Sequence, residues 1–211
     1  MRYLSASLLA LSLFGCSRNN DEMSRFHEDG RAKPVVAVAS MIDTTSFDTA
    51  WSLSEEFTSM IVGSLSKSGE LFVEGTDDDS FVENPFGTDL SWVKHEFQSK
   101  EFAVFLELVE HEAAPVIRSK KNVSHQELSV NLNMAVRVRV IDLRGSQPKI
   151  VLQEMVRDSY FIPKTLLPTD YSEAVWGTAE YRKSPMGIAH SQLGREIANR
   201  ISEYILLAKS R

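Results

Sequence analysis

Thirteen consecutive residues, Leu128 to Val140, alternate between large apolar side chains and small or polar ones. Side chains that alternate with a period of two point to opposite faces of a strand, so this segment predicts a long strand with one face in the core. The other face is expected to meet water or a partner. It carries Asn131, Asn133, Arg137 and Arg139.

The segments on either side of this strand predict an α+β fold. Pro34–Ser40 is typical of a short buried strand, and a capping pattern at Ser52 begins a helix that ends near Gly69. Ser184-Pro185 begins a closing helix with a buried stripe up to Ile205. Further strands are expected at 71–73, 102–109 and 150–162, and a small helix at 91–100. We predict a two-layer sandwich, in which one mixed sheet of about five strands has two long helices packed on one face.

The N-terminus has the features of a lipoprotein signal peptide. Arg2 precedes an apolar stretch from Leu4 to Phe14, which is too short to span a bilayer as a helix. Leu13-Phe14-Gly15-Cys16 then resembles a lipobox, with Phe14 bulkier than usual. We therefore predict cleavage after residue 15 and a lipid, with acyl chains such as palmitate, on Cys16. An ordinary secretory signal with a chance cysteine is the alternative.

Cys16 is the only cysteine, so no disulfide is available to the mature chain. We expect residues 16–33 to form a flexible tether and residues 34–211 a single periplasmic domain. Seventeen flexible residues reach only about 20–25 Å on average, which keeps the domain near its membrane.

The charge is unevenly distributed along the sequence. From Cys16 to Glu127 there are 10 Lys and Arg residues but 21 Asp and Glu residues. This acidic part argues against a nucleic-acid partner.

Motifs for catalysis or metal binding are absent from the sequence. His111-Glu112-Ala113-Ala114-Pro115 begins like a zinc-protease helix, but proline replaces the second histidine ligand. The five histidines lack ligand spacing and are expected on the surface or in loops. We predict no enzyme activity, no catalytic residue, no metal and no cofactor. An envelope hydrolase whose site assembles only in three dimensions remains the alternative from another class.

Three segments follow one another in the order found in a recurring module of envelope proteins. They are Pro34-Val-Val-Ala-Val-Ala-Ser-Met-Ile-Asp-Thr-Thr, the helix ending in Leu-Ser-Lys-Ser-Gly-Glu-Leu-Phe-Val, and the later Phe-Ala-Val-Phe-Leu-Glu-Leu. This order resembles the small α/β domains of LptE-, LpoB- and CsgG-type lipoproteins. The resemblance implies a protein that works by docking on partners. The short tether favours an LptE-like role over an LpoB-like activator of peptidoglycan synthesis, which crosses the periplasm on a long linker. A CsgG-like pore needs a second lipid-facing hairpin.

We therefore expect a non-enzymatic accessory lipoprotein of outer-membrane or envelope assembly. Ser17 after the lipidated cysteine is compatible with sorting to the outer membrane, with the domain facing the periplasm. A surface antigen without an assembly role is a further alternative. The expected partner is an envelope protein, such as an outer-membrane protein, or an anionic glycolipid that Arg pairs could recognise. The binding residues that we predict are Asn131, Asn133, Arg137, Arg139, Trp176 and Tyr181.

Overall fold

The computed structural model describes residues 25–75, 83–116 and 129–211. The predicted signal peptide and Cys16 lie outside these ranges. No helix in the described ranges has both the length and the apolarity needed to cross a bilayer. The elements, in chain order, are β1 (Val35–Val38), β2 (Ile42–Asp43), α1 (Leu53–Lys67), β3 (Phe72–Gly75), α2 (Ser91–Glu96), β4 (Phe102–Pro115), β5 (Val130–Asp142), β6 (Lys149–Ile162), a 3-10 helix (Lys164–Leu166), α3 (Ala179–Lys183) and α4 (Pro185–Lys209).

These strands form one mixed sheet in the order β3-β1-β4-β5-β6, with β2 beside β4. β1 is parallel to β3 and β4, whereas β4, β5 and β6 form an antiparallel meander. The predicted α+β fold with a mixed sheet is confirmed. β4 is longer than expected, because its pairing with β5 continues from Phe102 to Pro115. The segment that begins like a zinc-protease helix is therefore a strand.

Helices α1 and α4 pack against each other on one face of the sheet and enclose the main core. Ser52 and Ser184 cap these helices by accepting backbone hydrogen bonds, as their sequence patterns predict. The two helices approach closely at Gly194, where a Cβ atom would lie 2.8 Å from the Sδ atom of Met60. A larger residue at this position would require the Met60 side chain to move.

The opposite face of the sheet is covered at one end, so the expectation of a wholly open face is wrong there. Helix α2 and its flanking residues enclose a second, smaller core on this face. Phe105 and Ile141 point into it from β4 and β5, and leaving them in water would expose large apolar surfaces. The buried residues of the second core are Ala37, Ala39, Val93, Phe97, Ala103, Phe105, Ile141 and Leu143.

A bulge in β4, between Leu108 and Glu110, changes which side chains face the helices. Leu106 and Leu108 belong to the main core. Because a bulge inserts one extra residue, the alternation beyond it shifts by one position. His111 then pairs with Met134 of the main core and faces the helix layer.

Residues 25–33, the last part of the predicted tether, form a turn with a bridge between Phe26 and Ala32. Arg25 contacts β3, with its guanidinium 3.5 Å from the Glu74 carboxylate and 4.7 Å from the centroid of the Phe72 ring. Within the described residues, contacts with the domain therefore already occur at Arg25, nine positions before Pro34.

Candidate functional site

Five side chains from different parts of the chain form a connected polar group beneath the helix layer. We call it the polar chain: Trp51 before α1, Glu56 of α1, Tyr181 of α3, His190 of α4 and His111 of β4. Glu56 is 1% exposed, His190 0% and His111 5%. Three titratable side chains are thus sealed inside an otherwise apolar core. Buried polar groups of this kind require partners, since an unsatisfied one is costly.

The carboxylate of Glu56 is the centre of the polar chain. The indole Nε1 of Trp51 donates to Oε2 of Glu56 at 2.8 Å, and the hydroxyl of Tyr181 donates to Oε1. Nδ1 of His190 lies 2.9 Å from the same Oε1 atom. These contacts join the segment before α1 to helices α1, α3 and α4.

The two histidines meet at their Nε2 atoms, which are 2.7 Å apart. One Nε2 must donate and the other must accept. With Nδ1–H of His190 directed to Glu56, a neutral His190 accepts at Nε2 and His111 donates. Nδ1 of His111 has no hydrogen-bond partner among the described residues. The Phe47 ring packs against His111 at an interplanar angle of 60°, with the ring centroids 4.2 Å apart.

The environment of the polar chain changes several pKa values. Burial alone would raise the pKa of Glu56. The hydrogen bond and the charge of His190, together with hydrogen bonds from Tyr181 and Trp51, outweigh this effect and lower the pKa below its usual value. Burial, followed by the proximity of His190, lowers the pKa of His111 to about 3. Burial and the Glu56 charge raise the pKa of Tyr181. At neutral pH, therefore, Glu56 of the polar chain is ionised, and His111 and Tyr181 are neutral.

A cleft of about 360 Å³ lies beside the polar chain. Phe47 and Trp51, from the loop before α1, form one side, and Tyr171, before α3, and Met186, at the start of α4, line the other. Because Phe47 contacts His111 and Trp51 donates to Glu56, the polar chain fixes the wall of this cleft.

Arg139 does not have the open position that we expected, since it is 5% exposed. Its guanidinium donates to the carbonyl oxygens of Pro85, Phe86 and Gly87 and twice to the side chain of Gln153. These five bonds use all five N–H groups of an arginine. Arg139 holds a loop on the sheet and has no donor left for an external ligand.

Arg137, Asn131 and Asn133 lie together beyond this covered end, and each is half-buried. Arg137 is 3.0 Å from the carboxylate of Glu107, and Asn133 accepts a 2.7 Å hydrogen bond from Ser159. The strand register places these residues on one surface, which we call the outer face. It comprises Glu107, Glu110, Glu112, Asn131, Asn133, Arg137, Met155, Arg157, Ser159 and Phe161.

The two predicted aromatic binding residues do not join the outer face. Trp176 packs, partly buried, against the main core. Tyr181 is 3% exposed and belongs to the polar chain. The structure therefore brings together three of the six predicted binding residues and separates the other three from them.

The expectation that the histidines lie on the surface or in loops is wrong for His111 and His190. The sequence carried a signal for part of the polar chain. Glu56 lies three residues after Leu53, and His190 three residues before Leu193, which places both on apolar helical stripes. His111 gave no such signal, because only the bulge turns it inward. Within the described residues, no group of three or more His, Cys, Asp or Glu could hold a metal ion.

Solved structures with similar folds come from several bacteria. The hypothetical protein CT253 from Chlamydia trachomatis is 25% identical, with a TM-score of 0.66, and the match covers 82% of this chain and 98% of that one. XCC0632 from Xanthomonas campestris, a DUF330 protein, is 9% identical with a TM-score of 0.54, over 85% and 90% of the two chains. At that identity the likeness shows the fold alone.

Lipoprotein GNA1162 from Neisseria meningitidis is 11% identical, over 79% of this chain and 99% of that one. The TM-score of this match is 0.39. The resemblance to LptE-, LpoB- and CsgG-type proteins is not confirmed by these comparisons and stays a prediction. No curated protein matches the chain.

A family model matches residues 22–209, which include nearly all of the described residues. The chain therefore belongs to DUF7499, a family of unknown function.

Proposed function

We propose that this chain is a lipid-anchored accessory protein of the bacterial envelope, which binds a partner protein through its outer face and catalyses no reaction. The contrast between two polar regions carries the proposal. Glu56, His111 and His190, which could act in acid–base chemistry, are at most 5% exposed. Asn131, Asn133 and Arg137 are half-buried, so part of each side chain is accessible to a partner.

The composition of the outer face favours a protein as its partner. Arg137 and Arg157 provide donors, and Phe161, which is 46% exposed, provides apolar surface. Arginine and aromatic side chains are enriched in protein interfaces. Glu110 and Glu112 lie on the same face, and their charges would repel the phosphates of an anionic glycolipid. We therefore favour an envelope protein over a glycolipid.

The proposed position of the anchor limits where the partner lies. Arg25, the first described residue, lies nine positions after Cys16, a distance of at most about 30 Å when the chain is fully extended. The domain would then stay close to the membrane that holds the lipid. We propose the outer membrane, with the domain facing the periplasm. An LpoB-like role would require a longer linker.

Photocrosslinking in intact cells tests the outer face. A photoreactive residue at Asn133 should capture one defined envelope protein, and the same group at Glu203, an exposed position on α4, should not. Charge reversal by Arg137→Glu should reduce that capture about tenfold, because it removes a central donor and adds a repulsive charge. Equal capture from both positions, or no effect of Arg137→Glu, would refute the proposed surface.

Substitution of the lipidated residue tests the anchor separately. Cys16→Ser should abolish incorporation of labelled palmitate and move the chain from the membrane fraction to a soluble fraction. Retention of the label would show that Cys16 is not the lipidated residue. Hydrolysis of an envelope polymer by the purified protein, lost in Glu56→Gln, would overturn the non-enzymatic part of the proposal.

A further inference from the structure

The contact between His111 and His190 limits how many protons the polar chain can hold. Two Nε2 atoms 2.7 Å apart accommodate one hydrogen between them. His190 can be an imidazolium in this arrangement, donating from Nδ1 to Glu56 and from Nε2 to His111. A second proton would place N–H groups on both Nε2 atoms, pointing at each other. The closed arrangement therefore has no place for two imidazolium rings.

We propose that His111 and His190 form an acid-sensitive latch, whose double protonation separates the two rings and releases the loop of residues 44–52. This inference goes beyond the proposed function and does not depend on it. It concerns the wall of the cleft, and the outer face lies on the other side of the sheet.

The loop is the part of the surroundings that is easiest to move. It has no regular secondary structure, and Asp48 and Ala50 are exposed. Phe47 against His111 and Trp51 bonded to Glu56 are contacts that join it to the body of the domain. Helices α1 and α4, in contrast, are held by fully buried apolar side chains. Local opening of weakly held segments costs less free energy than separation of a packed core.

The titratable groups that face the histidine pair come from each element around it. Glu56 of α1 is the acidic group, and its charge favours a first proton on the pair. Tyr181 of α3 contributes a neutral hydroxyl, because its pKa is raised. Burial of His111 on β4 opposes its protonation while the loop is closed. In the open state water can solvate His111, so acid favours opening.

Fluorescence of Trp51 tests the latch in the purified full-length protein. Trp92→Phe and Trp176→Phe leave Trp51 as the one tryptophan of the described residues. We expect its acrylamide quenching constant to rise at least threefold between pH 7 and pH 4.5, while far-UV circular dichroism stays unchanged. The closed arrangement holds at most one proton on the two rings and the open arrangement can hold two, so opening takes up one proton. Below the ordinary imidazole pKa of about 6.5, the equilibrium constant for opening should therefore rise roughly tenfold for each pH unit of acidification.

His111→Gln removes one titrating group but keeps an amide N–H that can donate to His190. In this variant the rise in quenching should disappear. His95→Gln, at an exposed position on α2, is the matched control and should behave like the parent. An equal rise in His111→Gln would overturn the proposal. A quenching constant that stays flat in the parent protein while circular dichroism is unchanged would also overturn it, whether or not the variant folds.

Discussion

The polar chain and the outer face contain similar residues but have opposite surroundings. In the polar chain, Glu56 and two histidines are sealed between helices and sheet, and nearly every polar atom has a partner. On the outer face, Arg137 pairs with Glu107 while 42% of the Arg137 side chain stays exposed. Burial makes polar contacts structurally important because an unpaired group cannot turn to water. Exposed contacts contribute little to stability and remain available to a partner.

The largest expected effect is at the centre of the polar chain. Glu56→Ala should lower the free energy of unfolding by about 3–5 kcal/mol, because it removes the acceptor that Trp51, Tyr181 and His190 share. The Tyr181 hydroxyl keeps a 2.9 Å contact with Nδ1 of His190, but the indole N–H of Trp51 loses its acceptor. Glu203→Ala, on the exposed side of α4, should change it by less than about 0.5 kcal/mol. Urea unfolding at pH 7 measures both. Similar values for the two variants would remove the distinction between the regions.

Two arginines on the same face of β5 provide the next comparison. Arg139→Met should cost about 2–4 kcal/mol, since the carbonyl oxygens of Pro85, Phe86 and Gly87 lose a charged donor. Arg137→Met should cost at most about 1 kcal/mol, because its ion pair is half-exposed. Urea unfolding of both variants, followed by circular dichroism, measures the two losses in the free energy of unfolding. A larger loss for Arg137→Met would contradict the assignment of Arg139 as the structural arginine.

The pH dependence of stability should depend on His111. While the loop of residues 44–52 is closed, the pKa of His111 is about 3 in the folded protein, compared with about 6.5 in the unfolded chain. Between these values the unfolded state binds a proton that the folded state does not, so stability falls as the pH decreases. The slope from this group is about 1.4 kcal/mol per pH unit.

Comparison with His111→Gln isolates this contribution from those of the carboxylates. Urea unfolding at several pH values should show the parent protein losing stability faster than the variant as the pH falls below about 6.5, until the loop of residues 44–52 opens and the folded protein also binds the proton. His95→Gln should follow the parent. Curves that are already parallel above the pH at which the loop opens would show that the closed fold does not keep His111 neutral.

The smallest expected effect on stability is on the outer face. Asn133→Ala removes a side-chain hydrogen bond with Ser159 that water can replace, so the free energy of unfolding should change by less than about 0.5 kcal/mol. The same substitution should reduce capture of the partner by a photoreactive group placed at Ser159. Loss of stability comparable to that of Arg139→Met would indicate a structural role for Asn133.

Local patterns predicted most elements of the fold but little of the polar chain. The alternation in β5 and the caps at Ser52 and Ser184 depend on neighbours along the chain, and each was predicted correctly. Glu56 and His190 could have been noticed on their helical stripes. Their contact joins residues 134 positions apart, and no local pattern shows that such groups meet.

The sequence alone determined the class of fold, since hydrophobic periodicity decides which elements form and which faces are buried. It also supplied the predicted anchor at Cys16. Only the tertiary structure decided which polar residues are buried and which are exposed to solvent. Arg139 is covered by a loop more than 50 residues away along the chain, and a bulge turns His111 inward. The physical reason is that a polar group's solvation depends on the distant segments that pack against it, whereas periodicity records only its nearest neighbours.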